Sequence, residues 1–222
     1  MLVKKTIAFI ILALSVCGCT APDKEPSTNI TKVELVKRDS TILYGNKGIE
    51  NYSALLLAHN GMEKSFDWAT MMDEQYPPVL EEADLNHDGT NEVVVILLKA
   101  KRPGVMQQEL HVLNANDLSE VAVEDHIAYI KNTAKSVLVH GDGMVRITLE
   151  LGEKKYEKQY NETLLPDWPD AIYFGPMITY AVTDNQLTAT ALGAVSTTTY
   201  AMSVRLDYDE SFKIHNATIE EI

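Results

Sequence analysis

Cysteine is nearly missing from this chain of 222 residues: Cys17 and Cys19 are present and none follows them. The rest of the chain therefore has no disulfide, no thiolate metal site and no cysteine nucleophile. Basic charge is also scarce. Nineteen Lys and Arg stand against 32 Asp and Glu, a formal net charge of −13. Phosphate binding needs clustered cations, so nucleic acid is excluded as a main partner. Neither G-x-x-x-x-G-K-[ST] nor G-x-G-x-x-G occurs, which removes the usual phosphate cradles, and no G-x-S-x-G elbow supports acyl transfer. The histidines (His59, His87, His111, His126, His140 and His215) never fall at H-x-H or H-E-x-x-H spacing, so no local zinc site is encoded. What is present is a folded protein's apolar content, 45% hydrophobic, which is too high for a disordered acidic tail. The length suffices for one domain with a real core.

The N-terminus has its own chemistry. Lys4 and Lys5 precede an apolar run from Thr6 to Val16, broken only by Thr6 and Ser15. The run is about half of the roughly 20 residues a membrane-spanning helix needs, and it has the length of a signal-peptide h-region. Val16-Cys17-Gly18-Cys19 follows. An apolar residue, a spacer, a small residue and then Cys resembles the bacterial lipobox, with Val16 where that motif usually has Leu. The resemblance implies cleavage after Gly18 and a diacylglycerol on Cys19. The chain would then be held by its acyl chains to the lipid bilayer, on the extracytoplasmic side of a bacterial plasma membrane. Loss of residues 1–18 removes Lys4 and Lys5 and no acid, taking the net charge from −13 to −15. Such a chain is repelled by anionic lipid, so anchoring falls to the acyl chains. Residues 20–31, with Pro22, Pro26 and Ser27, read as a flexible tether. The expected organisation is a signal peptide over 1–18, a lipidated tether over 19–31 and a single β-rich domain over 32–222.

From residue 32 the hydrophobic period is mostly two. Val33–Val36 alternates as a half-buried strand does. Asn51–His59 and Met62–Trp68 flank Asn60-Gly61, the strongest short hairpin signal, because a type I′ turn needs positive φ at both positions. Val79–Ala83 and Glu92–Ala100 are further strands. The second holds the run Val93–Leu98, which predicts a central strand buried on both faces. Glu109–Asn114 follows the Lys101–Gly104 loop. Val123–Thr133 is the one helix, with Val123, Ile127 and Ile130 at helical spacing and Glu124 and Asp125 in its first turn. Then come the pairs Ser136–His140 with Met144–Leu149, Gly152-Glu153 leading to Lys155–Tyr160, Met177–Thr183 with Gln186–Ala194, and Thr199–Tyr208 with Phe212–Ile219. This pattern predicts a mainly β fold, all-β or α+β: an antiparallel, hairpin-rich sheet or sandwich with about one helix.

One loop carries recognisable chemistry. In Asp84-Leu85-Asn86-His87-Asp88-Gly89-Thr90-Asn91-Glu92, oxygen-bearing side chains occupy positions 1, 3, 5 and 9, and Gly the sixth. Calcium takes six to eight hard oxygen ligands, and a tight loop aims alternate side chains inward. The candidate ligands are Asp84, Asn86, Asp88 and Glu92, with Thr90 offering its backbone carbonyl. His87 points outward. An EF-hand needs Glu at position 12, but that position is Val95, so this is not one. An acid at position 9 between two strands resembles instead the calcium loops of integrin-type FG-GAP/VCBS repeats, with Glu92 where Asp is commoner. The likeness covers about 20 residues. No second copy occurs, which excludes a propeller of such repeats. The wider chain resembles single-motif surface lipoproteins of Gram-positive bacteria through the step into Glu92–Ile96, Glu109–Leu113 and Tyr173-Phe174-Gly175.

Other groups offer less. Glu81 and Glu82 are adjacent acids beside the loop, but adjacent strand residues face opposite ways, which suits a solvated edge better than glycoside hydrolysis. Trp68, Tyr76, Pro77 and Pro78 read as a packed stretch or a shallow groove for sugar or peptide. Met71-Met72 reads as filler. Thr190–Tyr200 reads equally as a loop or a polar strand edge. The expected function is a calcium-stabilised binding module on a lipid anchor, its partner a protein or a wall polymer. The alternative is a wall- or polysaccharide-acting hydrolase using paired carboxylates.

Overall fold

Seven consecutive residues, Glu92 to Leu98, are buried, and the rest of the fold is arranged around them. The computed structural model describes residues 32–222. The segments expected to be a signal peptide, a lipobox with Cys19 and a tether lie outside the described residues.

Strands β1 (Lys32–Arg38), β2 (Thr41–Lys47), β3 (Asn51–His59) and β4 (Met62–Met71) form a four-stranded antiparallel meander. Strands β5 (Val79–Ala83), β6 (Glu92–Arg102) and β7 (Val105–Asn114) form a second, with the short β8 (Glu120–Val121) paired to β7. Helix α1 (His126–Thr133) leads into a three-stranded sheet of β9 (Ala134–Gly141), β10 (Met144–Leu151) and β11 (Lys154–Asn161). Strands β12 (Met177–Thr183), β13 (Gln186–Ala194), β14 (Tyr200–Tyr208) and β15 (Ile214–Glu221) then return to the sheet of β5–β8, in the order β15-β14-β13-β12-β7-β6-β5. The fold is mainly β with one α-helix, and no sheet closes into a barrel or propeller.

The purely antiparallel expectation needs one correction. Strands β12 and β7 run parallel, paired only at Met177 with Met106 and Ile178 with Gln107. Parallel neighbours require a long crossover, and α1 with β9–β11 supplies it. Beyond those pairs the strands separate, and Gln108 Oε1 accepts from Tyr180 N at 2.8 Å in place of a ladder bond.

Strand β6 explains the layering. Val93, Val95 and Leu97 belong to one hydrophobic cluster, with Leu43, Leu55, Leu57 and Trp68 of the four-stranded sheet. Val94 and Ile96 belong to the other, with Ile130 of the helix and Ile147, Leu149 and Leu151 of β10. The apolar run is therefore buried on both faces, as it predicts. Thr70 ties the first two layers together, since its hydroxyl donates to Leu98 O and accepts from Leu98 N, at 3.3 and 3.2 Å.

Turn chemistry fixes the hairpins. Asn60 and Gly61 have φ of 48° and 84°, and Asp184 and Asn185 have 51° and 58°, the left-handed pairs a type I′ turn requires. Other boundaries differ from expectation. Strand β2 lies where the sequence pattern predicts no strand. Strand β6 continues through Lys101 and Arg102, and β7 begins at Val105, so the loop there is only Pro103-Gly104. The helix starts three residues later than Val123: Asp125 is its N-cap, accepting from Ala128 N at 2.6 Å, and Glu124 instead accepts from Ile214 N at 2.8 Å. Neither acid lies in the first turn. Phe212 sits not in β15 but in the preceding turn, buried, with φ of 58°. Thr190–Tyr200 divides into the end of β13, an irregular turn over 195–199 and the first residue of β14.

Candidate metal loop

Strands β5 and β6 end against each other at the pair Ala83–Glu92, and residues 84–91 close the gap. Two left-handed residues, His87 at φ 58° and Gly89 at 86°, let the chain fold back tightly. His87 is exposed, as its position predicts.

The candidate ligands form one hydrogen-bonded knot. Asp84 Oδ2 accepts from Gly89 N at 3.0 Å. Asn86 Oδ1 accepts from Asp88 N at 2.9 Å, and Asp88 Oδ1 accepts from Thr90 N at 2.7 Å. Glu92, only 4% exposed, accepts from Leu85 N through Oε2 and from Asn86 Nδ2 through Oε1, both at 2.9 Å. The same Asn86 Nδ2 donates to Asp88 Oδ2 at 3.1 Å. One neutral amide thus stands between two carboxylates.

Two features of this knot are electrostatically unsatisfied. Asp84 Oδ1 is buried and has no hydrogen-bond partner, which costs free energy wherever it occurs. The Glu92 carboxyl is pushed above its ordinary range, first by burial; donors at Leu85 and Asn86 oppose the shift, and the charges of Asp88 and Asp84 add to it. The donor set suits a hard cation, which takes carboxylate, amide and carbonyl oxygens. The carboxylates are held through amides, however, and among the described residues no three His, Cys, Asp or Glu side chains converge closely enough to hold a metal ion. Binding would draw the carboxylates inward and displace the Asn86 donor.

The neighbouring candidates are engaged elsewhere. Glu81 pairs with Arg38, whose Nη1 also donates to Leu80 O at 3.2 Å. Glu82 accepts from the Thr41 hydroxyl, which also contacts His59 Nδ1 at 2.6 Å. Asn60 Nδ2 lies 2.8 Å from the other His59 ring nitrogen. Thr41 and His59 are buried, so this polar chain ties β2 and β3 to β5 from inside the fold and reaches solvent only at its Glu82 and Asn60 ends. Sequence patterning gave no hint of it, because its members lie about 20 to 40 residues apart.

Trp68 is buried, stacked between Phe66 and His111 with ring centroids 3.8 Å away on each side. It lines no groove with Tyr76. Pro77, Pro78, Met71 and Met72 border a separate cleft of about 360 Å³ with Tyr52 and Asp73. Comparison with protein-family models, with curated proteins and with solved structures finds no match.

Proposed function

We propose that this chain is a membrane-anchored extracytoplasmic lipoprotein whose β-rich domain is stabilised by calcium at residues 84–92 and serves as a binding module for a protein or a wall polymer. The anchor rests on the lipobox resemblance at Val16–Cys19. One observation carries the metal: Asp84 Oδ1 is buried without a partner inside a loop that also buries Glu92. Asp84, Asn86, Asp88 and Glu92 would hold the ion with the Thr90 carbonyl, and the ion would supply positive charge where acidic oxygens crowd. Its role is structural, because the loop joins β5 to the strand shared by both cores. No observation favours the hydrolase alternative, since Glu81 and Glu82 are each held by other partners.

The test is thermal unfolding of the chain in millimolar calcium and then in chelator. A metal that binds only the native state stabilises it by RT ln(1 + [L]/Kd). With the weak affinity usual for extracellular modules, roughly 10⁻⁴ to 10⁻³ M, a rise in melting temperature is expected, and identical curves would rule the metal out. Cys19→Ala should move the protein out of the membrane fraction; if it stays there, the lipid anchor is wrong.

A further inference from the structure

Asn60-Gly61 is the only Asn-Gly step in the chain, and it closes the β3–β4 hairpin beyond the pair His59–Met62. Asn60 also ends the buried polar chain that runs through His59 and Thr41 to Glu82. The direction of that chain follows from its acidic end. A carboxylate only accepts, so the single hydroxyl hydrogen of Thr41 goes to Glu82. The Thr41 oxygen then accepts from His59 Nδ1, 2.6 Å away. His59 is therefore the Nδ1–H tautomer. Its Nε2 is left with a lone pair and accepts from Asn60 Nδ2 at 2.8 Å. Asn60 Oδ1 in turn accepts from the Ser40 hydroxyl at 2.7 Å. The chain runs one way, from the Asn60 amide to the Glu82 carboxylate, and it needs a donor at position 60.

We propose that Asn60 is a modification site: it deamidates, and loss of its amide breaks the buried chain at His59. The chemistry is intramolecular. Gly61 N forms a bond to Asn60 Cγ and gives up its proton, the Cγ–Nδ2 bond breaks, and ammonia leaves, giving a cyclic imide. Water then opens the ring and leaves aspartate or isoaspartate at position 60. The attack needs an unhindered backbone nitrogen, and Gly61 provides it. Both turn residues are exposed, the Gly61 amide lies outside the strand ladder, and nothing stands within 4 Å of the place a Cβ would occupy. Every other asparagine of the described residues precedes a residue that carries a side chain.

The product cannot do what the amide does. A carboxylate at position 60 and His59 Nε2 both accept only, and they face each other beside a buried ring. A second proton on His59 restores the contact. The ring then becomes a cation between the new carboxylate and Glu82, whose Oε1 lies 3.5 Å from Nδ1. Among the described residues, Glu82 is the only acid with an oxygen within 4 Å of the ring nitrogens. Isoaspartate goes further, since it adds a backbone carbon to a two-residue turn. A reaction at the surface thus changes the protonation of a side chain only 2% exposed.

Asn185 is the internal control, because it is exposed in the other left-handed two-residue turn but precedes Gln186. The full chain, held in warm, mildly alkaline buffer and digested at intervals, should gain the amide-to-acid mass difference at residue 60 at least tenfold faster than at Asn185. A smaller difference overturns the site. Asn60→Asp then isolates the consequence, since Asp-Gly makes the same type I′ turn and only the donor is lost. Nitrogen NMR of the His59 ring at neutral pH should show Nδ1–H with a bare Nε2 in the parent and both nitrogens protonated in the variant. A ring unchanged by the substitution overturns the link to the buried chain. Should the variant fail to fold, the deamidated fraction of the aged parent, separated by its extra negative charge, gives the same reading.

Discussion

Two acidic turns of this molecule are built from similar residues and end in opposite electrostatic states. In the turn between β14 and β15, Asp209 Oδ1 accepts from Ser211 N, the Ser211 hydroxyl and Lys213 N, at 2.9 to 3.0 Å. These donors, chiefly the Lys213 amide, hold the carboxyl below its ordinary range. In the 84–92 loop, Asp84 keeps an orphaned oxygen and Glu92 is pushed upward by burial. Both turns satisfy the local preference of Asp and Asn for backbone amides. Only one brings several carboxylates together around a buried member, Glu92. The Asp209 carboxylate is supplied with donors by its own turn, whereas Asp84 Oδ1 in the other has none.

Removing a central ligand should separate the two turns most sharply. At calcium a hundredfold above Kd the native state gains about 2.7 kcal/mol, worth roughly 5–10 °C in a domain of this size. Asp88→Ala should erase that gain, which paired melting curves in calcium and chelator would show. Asp84→Asn should act more narrowly: its amide oxygen still accepts from Gly89 N, so stability in chelator should hardly change while most of the calcium response disappears. Asp209→Ala should lower the melting temperature by a smaller amount, equally with and without calcium. A calcium-dependent effect there would erase the contrast between the turns.

Acid titration sharpens the contrast further, and its effects are the smallest. Because the Asp209 carboxyl is lowered in the folded state, its contribution is present above the ordinary aspartate value of 3.8 and is lost as pH falls through the folded pKa. Asp209→Asn should flatten stability in that acid window. His126 works in a higher window. Burial lowers its pKa from 6.5, and Nδ1 is engaged by the Tyr180 hydroxyl at 2.8 Å. The unfolded chain therefore takes up the proton first, and stability should fall as pH drops below about 6.5. Urea unfolding of the parent and of His126→Leu between pH 7 and 5 measures the slope, which should be shallower in the variant.

What the sequence could reveal was whatever local rules decide. Asn60-Gly61 and Asp184-Asn185 encode their turns in two residues each, and Val93–Leu98 encodes burial on two faces. The loop residues were legible for the same reason, since alternation and Gly89 are local. The energetic state of the loop was not, because burial of Glu92 and the missing partner of Asp84 Oδ1 depend on the folded loop and its packing, which side-chain spacing does not record. Strand β2 is held partly by a close approach that no local period records: a Cβ at Gly45 would lie 2.9 Å from Leu55 and Tyr52. The parallel join of β7 and β12 depends on where a crossover of more than 60 residues returns, which no local pattern records.

Each core holds one tryptophan. Trp68 lies within the cluster under the four-stranded sheet, and Trp168 packs against the other, its Nε1 donating to Glu162 O at 2.9 Å. Strand β6 supplies a wall to both, so neither core can loosen without stripping the other of alternate valines. The molecule is expected to melt as one cooperative unit, with single-tryptophan variants Trp68→Phe and Trp168→Phe giving superimposable fluorescence transitions. An ion bound at Glu92, the first residue of β6, would then be felt equally by both indoles, one strand carrying the news in two directions.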